Sequence, residues 1–264
     1  IVLIILGKAD FNMVSTIDAE TYNLCTTLRV LIDSPIDCDR LEYIRTDRWN
    51  LFGEDVDFAP IFDYSVLYDD NGKYTLAYLS DALPLIEEFL ITRRNLYLWA
   101  YYAPQIMLLE MILRAYQLFC LGRNIHINQM SEFKIISDLD RLSMDKQATL
   151  FERRCGQIIT QGVRENLLFT QISDTEEYHN FLNNLMQIIP ASLVLTYEKH
   201  INTYKGGISI LSDNHLVDFG SVSSIAMLPS ISLNFVLVDL DLCPYSAKKD
   251  IQKVFDSLHQ FLLI

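Results

Sequence analysis

The eleven residues Asp37-Cys38-Asp39-Arg40-Leu41-Glu42-Tyr43-Ile44-Arg45-Thr46-Asp47 crowd ionisable side chains along a single expected helix. Ser34 followed by Pro35 predicts an N-cap and a first-turn proline, because proline's fixed φ suits a helix start and its missing donor would be unpaired there anyway. The helix is therefore expected from Pro35. At about 100° per residue, Asp39, Arg40, Tyr43 and Asp47 fall within roughly a 100° arc bordered by Ile36 and Ile44. A polar cluster with apolar borders is expected to face inward. Two buried carboxylates then need a cation, a metal or dense hydrogen bonding to offset their lost hydration, which points to the lining of a site. The same letters also suit a surface helix carrying an Asp/Arg ion pair.

A second set of candidates is Arg93, Tyr97 and Tyr101, whose i, i+4, i+8 spacing puts a guanidinium and two phenols on one helix face. Core packing is the commoner use of such tyrosines. The histidines, His126, His179, His200, His215 and His259, are scattered, with no His-Asp pair and no i, i+4 spacing that could chelate a metal. Lys205-Gly206-Gly207 lacks the order and the strand-to-helix context of a phosphate loop. The five cysteines, Cys25, Cys38, Cys120, Cys155 and Cys243, are an odd number at wide spacings and read as a reducing, cytoplasmic setting. Cys38 points away from the acidic arc and reads as a packed thiol.

These side chains must be carried by helices first. Residues 13–32 read as one helix, and the apolar run 1–6, too short to span a bilayer, reads as the tail of a buried one. Asp69-Asp70-Asn71-Gly72 predicts a tight turn between short extended segments at 65–68 and 73–78. Residues 81–121 form the longest helical stretch, with Pro84 in its first turn and Gly122 as its C-cap. Pro104 inside it costs roughly 3 kcal/mol if the helix runs through, so a kink or break is expected near Ala103. Asp138 to Arg141 read as the N-cap of a short helix. Beyond residue 152 the texture changes. Strands are expected at 157–163, 192–198, 207–211, 216–219 and 233–240, helices at 174–188 and 246–263, and a hairpin turn at Ser212-Asp213-Asn214-His215. The expected fold is mainly α: an all-helical body over 1–150 with a small α+β subdomain over 151–264.

At 264 residues, half of them hydrophobic, the chain can bury a sizeable core. A net charge of −13 with no basic aromatic-laced run argues against nucleic acid as a primary partner. It does not exclude a nucleotide, since a few arginines and a metal decide the potential inside a pocket. No segment reads as a membrane anchor.

The string Ile32-Asp33-Ser34-Pro35-Ile36-Asp37-Cys38-Asp39-Arg40-Leu41-Glu42-Tyr43, with Arg45 and Asp47 behind it, resembles the second metal-site motif of the HD-domain phosphohydrolases. The similar branch is that of the dGTPase-like deoxynucleoside triphosphate triphosphohydrolases, with Gly53 standing one residue late for the family's glycine. The resemblance continues through Gly72-Lys73-Tyr74, the helix entry Ala82 to Leu90 and the substrate-covering helix Arg93 to Tyr102. It extends weakly to Ser137-Asp138-Leu139-Asp140 and to Leu150-Phe151-Glu152-Arg153-Arg154. It implies an HD-type helical body and a divalent metal (Mg, Mn, Fe, Ni or Zn) on Asp39. It further implies phosphate contacts from Arg40 and Tyr43, a sugar contact from Asp47, and substrate contacts from Arg93 and Tyr101. Each role suits its group: a carboxylate suits a divalent metal, a guanidinium clamps phosphate bidentately, and a phenol donates to an oxyanion. A homo-oligomer is also implied.

Two departures mark the chain. The family's histidine and His-Asp pair have no counterpart before Asp39, and the sequence opens at Ile1 in mid-run, so about the first third of the protein is expected to lie outside it. Where the family carries a histidine and then a lysine, after Tyr102, this chain has Ala103 and Pro104. The expected function is metal-dependent hydrolysis of a deoxynucleoside triphosphate by the complete protein. The alternative is a degenerate HD-like nucleotide-binding or scaffold protein.

Overall fold

The computed structural model describes residues 18–70, 73–123, 125 and 130–258. In chain order the principal elements are α1 (Ala19–Leu28), α2 (Cys38–Phe52), β1 (Ser65–Asp70), β2 (Lys73–Leu79), α3 (Leu83–Leu96), α4 (Pro104–Leu121), α5 (Glu132–Met144) and α6 (Leu150–Thr160). There follow β3 (Leu167–Ile172), α7 (Thr175–Met186), β4 (Leu195–Ile201), β5 (Ser209–Ser212), β6 (His215–Asp218), the one-turn α8 (Phe219–Val222), β7 (Ile231–Asp239) and α9 (Lys248–Asp256). They form two compact units, residues 1–101 with 201–230 and residues 102–200 with 231–264, so the boundary read at residue 150 falls inside the second.

The first unit is not an all-helical body, and the fold is α+β. Its sheet runs β1-β2-β5-β6, and the strands expected at 65–68 and 73–78 are its antiparallel hairpin. β2 then pairs in parallel with β5, Tyr78 opposite Ile210. Local periodicity reports that a strand exists but carries no information about a partner some 130 residues away, which is why the hairpin read as a connection between helices. The second hairpin, β5 with β6, turns at Asp213 and Asn214, both with positive φ (48° and 63°), the backbone that a two-residue hairpin needs.

Around this sheet the apolar side chains converge. Ile36 and Ile44 from the α2 region meet Phe58, Ile61, Ile86 and Phe89, and Ile208, Ile210 and Phe219 arrive from the distant segment. Phe58 and Phe89 pack edge to face at 5.4 Å. The helix expected over 13–32 is α1, capped by Asp18, which accepts the Thr21 N–H at 2.8 Å. Its first residues and the run 1–6 lie outside the described residues. The expected break is present: α3 passes into a π-helical turn at Tyr97–Tyr101, Ala103 leaves the helical region at ψ 142°, and Pro104 opens α4.

The second unit holds a three-stranded sheet, β3-β7-β4, with Val236 and Val238 of β7 packed against Phe181, Leu185, Ile251 and Phe255. Residues 157–163, expected as a strand, lie largely in α6. A reciprocal capping box between Thr149 and Glu152 starts that helix, and Cys155 and Ile158 bury its inner face, so β-branched letters yield to a strong helix start. Asp138 to Arg141 lie inside α5, which Ser131 caps. Among the described residues no single helix is long and apolar enough to cross a membrane.

Candidate functional site

The start of α2 is set by Asp37 and not by Ser34. The Asp37 carboxylate, 3% exposed, accepts the Arg40 N–H at 2.7 Å and the Ser34 N–H at 3.3 Å. The Arg40 guanidinium donates to the same carboxylate and to the Ser34 carbonyl. A carboxylate takes all these donors with charge assistance, which a hydroxyl cannot, so it displaces Ser34 as the cap and the helix begins at Cys38. Ser34 instead closes its own turn, its hydroxyl donating to the Ile36 carbonyl at 2.7 Å.

With Leu41 and Ile44 buried, Asp39 stands about 200° and 140° around the helix from them and is exposed, whereas Arg40, Tyr43 and Asp47 flank the buried stripe and are half-buried. Cys38 is exposed as well, and not the packed thiol expected.

Tyr43 and Asp47 of α2 meet the end of α3. The Tyr101 hydroxyl donates to Asp47, the Tyr97 and Tyr101 rings meet edge to face at 5.0 Å, and Tyr43 is hydrogen-bonded to Tyr97. The Arg93 guanidinium lies 5.9 Å from the centre of the Tyr97 ring. Burial first, and the neighbouring Tyr97 second, push Tyr43 up to about 12, against the pull of Arg93 and Arg40. Burial, then the bond to Asp47, also raises Tyr101. Both phenols are therefore protonated donors at neutral pH. The unfolded phenol ionises near 10 and the folded one higher, so stability is whole below pH 10 and is lost as pH rises toward 12. An alkaline titration followed at the phenolate absorbance should show Tyr43→Phe removing one late-titrating tyrosine. Titration of every tyrosine near 10 in the folded chain would contradict this.

Beside the network is a pocket of about 320 Å³ lined by Arg40 and Arg93 together with Asn202, Thr203, Tyr204 and Lys205. The second wall is brought there by the loop's backbone. Gly206 and Gly207 have φ of +96° and +92°, and a Cβ on Gly207 would touch Pro35 at 3.7 Å. Tyr204 anchors the loop, donating to Asp218 at 2.8 Å and accepting the Ile208 N–H at 3.1 Å. Three cations line the space. Against them stand Asp33, a lining residue ion-paired to Arg29 at 3.2 Å, and the Asp37 carboxylate that holds Arg40. The local balance is positive within a chain of net charge −13.

The structure thus brings together Arg40, Tyr43, Asp47, Arg93 and Tyr101 with the third residue of the second set, Tyr97, and adds the 202–205 segment, to which the sequence reading gave no role. Tyr97 had a signal in its i, i+4 spacing. The segment had only the Gly206-Gly207 pair. Asp39 does not line the pocket. Among the described residues no group of three or more His, Cys, Asp or Glu could hold a metal ion, so they do not by themselves fit the metal the resemblance implies.

No protein-family model matches the chain. It is 31% identical over 96 residues to the uncharacterized protein MG461 of Mycoplasma genitalium, a match covering 34% of this chain and 23% of that protein. In structure it is similar to a hypothetical protein from Aquifex aeolicus, with TM-score 0.69 and 19% identity over 94% of this chain and 70% of the other. It is also similar to a phosphohydrolase from Bacteroides thetaiotaomicron, with TM-score 0.59 and 17% identity over 87% of this chain and 69% of the other. At these identities the likeness is one of fold, and that fold is shared with a protein named a phosphohydrolase.

Proposed function

We propose that the protein containing this chain is a cytoplasmic HD-superfamily phosphohydrolase that takes a nucleotide, most simply a deoxynucleoside triphosphate, by its phosphates. The observation that carries this is the convergence of Arg40, Tyr43, Asp47, Arg93 and Tyr101, from two helices, beside one positive pocket. The fold shared with a phosphohydrolase and the free cysteines support the reading.

In it Arg40 and Arg93 hold phosphate oxygens, Tyr43 donates a hydrogen bond to the same group, and the Asp47–Tyr101 pair receives a sugar hydroxyl. A divalent cation bound through Asp39 would supply Lewis-acid chemistry, and its remaining ligands would come from outside the described residues. A homo-oligomer belongs to the same proposal. The break at Ala103-Pro104, where the resembled family has a histidine and a lysine, favours one second reading: nucleotide binding without turnover.

Equilibrium binding of a fluorescent deoxynucleoside triphosphate tests the proposal, with Arg93→Met expected to weaken it about tenfold or more. Unchanged affinity in that variant would sink it. Phosphate release with added divalent metal separates the enzyme from the binder, and hydrolysis that survives Asp39→Ala would remove Asp39 from the site.

A further inference from the structure

We infer that the second unit carries a binding site for a small uncharged apolar molecule, in a crevice between α4, α6 and the face of the sheet formed by β7 and β4. The crevice shares no lining residue with the Arg40/Arg93 pocket, and the inference does not depend on the phosphate reading.

The crevice has a volume of about 380 Å³, within the range of small-molecule sites. Its rim is carbon: Leu150 is exposed, Phe151, Leu193, Leu195 and Leu242 are half-buried, and all five line the space. Beneath them Cys155 of α6 and Leu237 of β7, each 1% exposed, close the floor. Because β7 is the central strand of its sheet, the space reaches into the core of the unit. A small molecule can follow it there, and the surface of another folded protein cannot.

Interiors ordinarily close such a gap, since side chains facing empty space lose their dispersion contacts. Here α6 is braced against closing it. A Cβ at Gly156 would collide with the Leu139 carbonyl oxygen, so α6 already lies backbone to backbone against α5. The Phe151 ring meets Phe119 of α4 at 5.0 Å. Toward the sheet, Arg154 holds Asp239 at 2.8 Å and spaces helix from strand by the length of its own side chain. A cavity that cannot collapse keeps its full cost, and an apolar guest relieves it.

The wall also sets the charge of the guest. Its two ionised groups, Arg154 and Asp239, are joined to each other, and the guanidinium donates to the Glu165 carbonyl as well. Burial pushes the Cys155 thiol up to about 12, so it is neutral. A charged guest would lose its hydration and meet no free counter-charge, whereas an uncharged one loses nothing.

The test is fluorescence titration of the chain with the neutral dye N-phenylnaphthylamine, which brightens in apolar surroundings, alongside thermal melting. The parent chain is expected to bind the dye at micromolar concentration. Leu193→Trp, which fills the crevice from its wall, should weaken binding about tenfold or more, and Ser192→Trp at the exposed lip about threefold. Leu113→Trp, in a separate groove between α4 and α5, should leave binding unchanged. If Leu193→Trp melts lower than the parent, Ser192→Trp decides alone. Binding weakened by Leu113→Trp but by neither crevice variant would place the dye elsewhere and overturn the site. No binding by the parent chain, with Leu193→Trp melting higher, would show the space to be a packing void and overturn it equally.

Discussion

Replacing Asp239 with alanine is expected to lower the stability of the second unit by about 3–5 kcal/mol, a large share of the roughly 5–15 kcal/mol that holds a typical domain. Arg154 on α6 and Asp239 at the end of β7 have side chains only 8% and 7% exposed. The guanidinium is engaged twice, Nε donating to Oδ2 at 2.8 Å and Nη2 to Oδ1 at 3.2 Å, and Nη2 also donates to the Glu165 carbonyl at 3.0 Å. Alanine removes the acceptor and strands a buried cation, and that stranding dominates the cost. Asp241 stands 3.6 Å from Nη1 and softens it, so the lower end of the range is expected. A double change, Arg154→Met with Asp239→Leu, deletes both charges and should recover most of the loss, because an apolar pair of similar volume needs no partner. Urea unfolding midpoints decide the matter. A loss below about 1 kcal/mol for Asp239→Ala, or a double variant worse than either single, would show that the pair does not tie helix to strand.

This pair also marks the reach of sequence reading. Arg154 stood in a stretch that resembled the phosphohydrolase family, yet its carboxylate partner comes from 85 positions later and the side chain is spent on the fold. The α2 and α3 site residues were legible because helical spacing is local. Tyr43 and Asp47 are one turn apart, Arg93, Tyr97 and Tyr101 follow the same period, and the break before Pro104 needs only proline's own chemistry. Asp39 was drawn onto the same arc because the wheel gave its centre to the acids. The buried stripe is centred on Leu41 and Ile44, and a shift of that centre turns Asp39 outward. The sheet of the first unit and the second wall of the pocket share one cause of illegibility. Both depend on residues 202–218 returning to pack against the first hundred, and neither strand periodicity nor a Gly-Gly pair names its partner.

Asp37 joins stability to the proposed ligand, and its variants are expected to move the two in opposite directions. As the buried cap of α2 it holds two backbone donors and the Arg40 guanidinium, so Asp37→Ala should cost roughly 2–4 kcal/mol, a cap plus charge-assisted bonds. Asp37→Asn is the sharper probe. Asparagine keeps the side-chain oxygen that caps the helix and loses the charge, so the helix start survives while stability falls by roughly 1.5–3 kcal/mol. In the native chain that carboxylate, ion-paired to Arg40, offsets part of the field Arg40 can present to an anion. Once it is neutral, Arg40 faces the pocket as a full cation, and tripolyphosphate should bind about threefold or more tightly despite the weaker fold. Chemical unfolding and calorimetric titration of the same preparation read the two effects separately. If Asp37→Asn instead weakens the fold and the anion together, the carboxylate's service to Arg40 is orientation and not masking. In that case Arg40 reaches phosphate only in the geometry that Asp37 imposes, and the tightest binder will be the chain that keeps the buried pair intact.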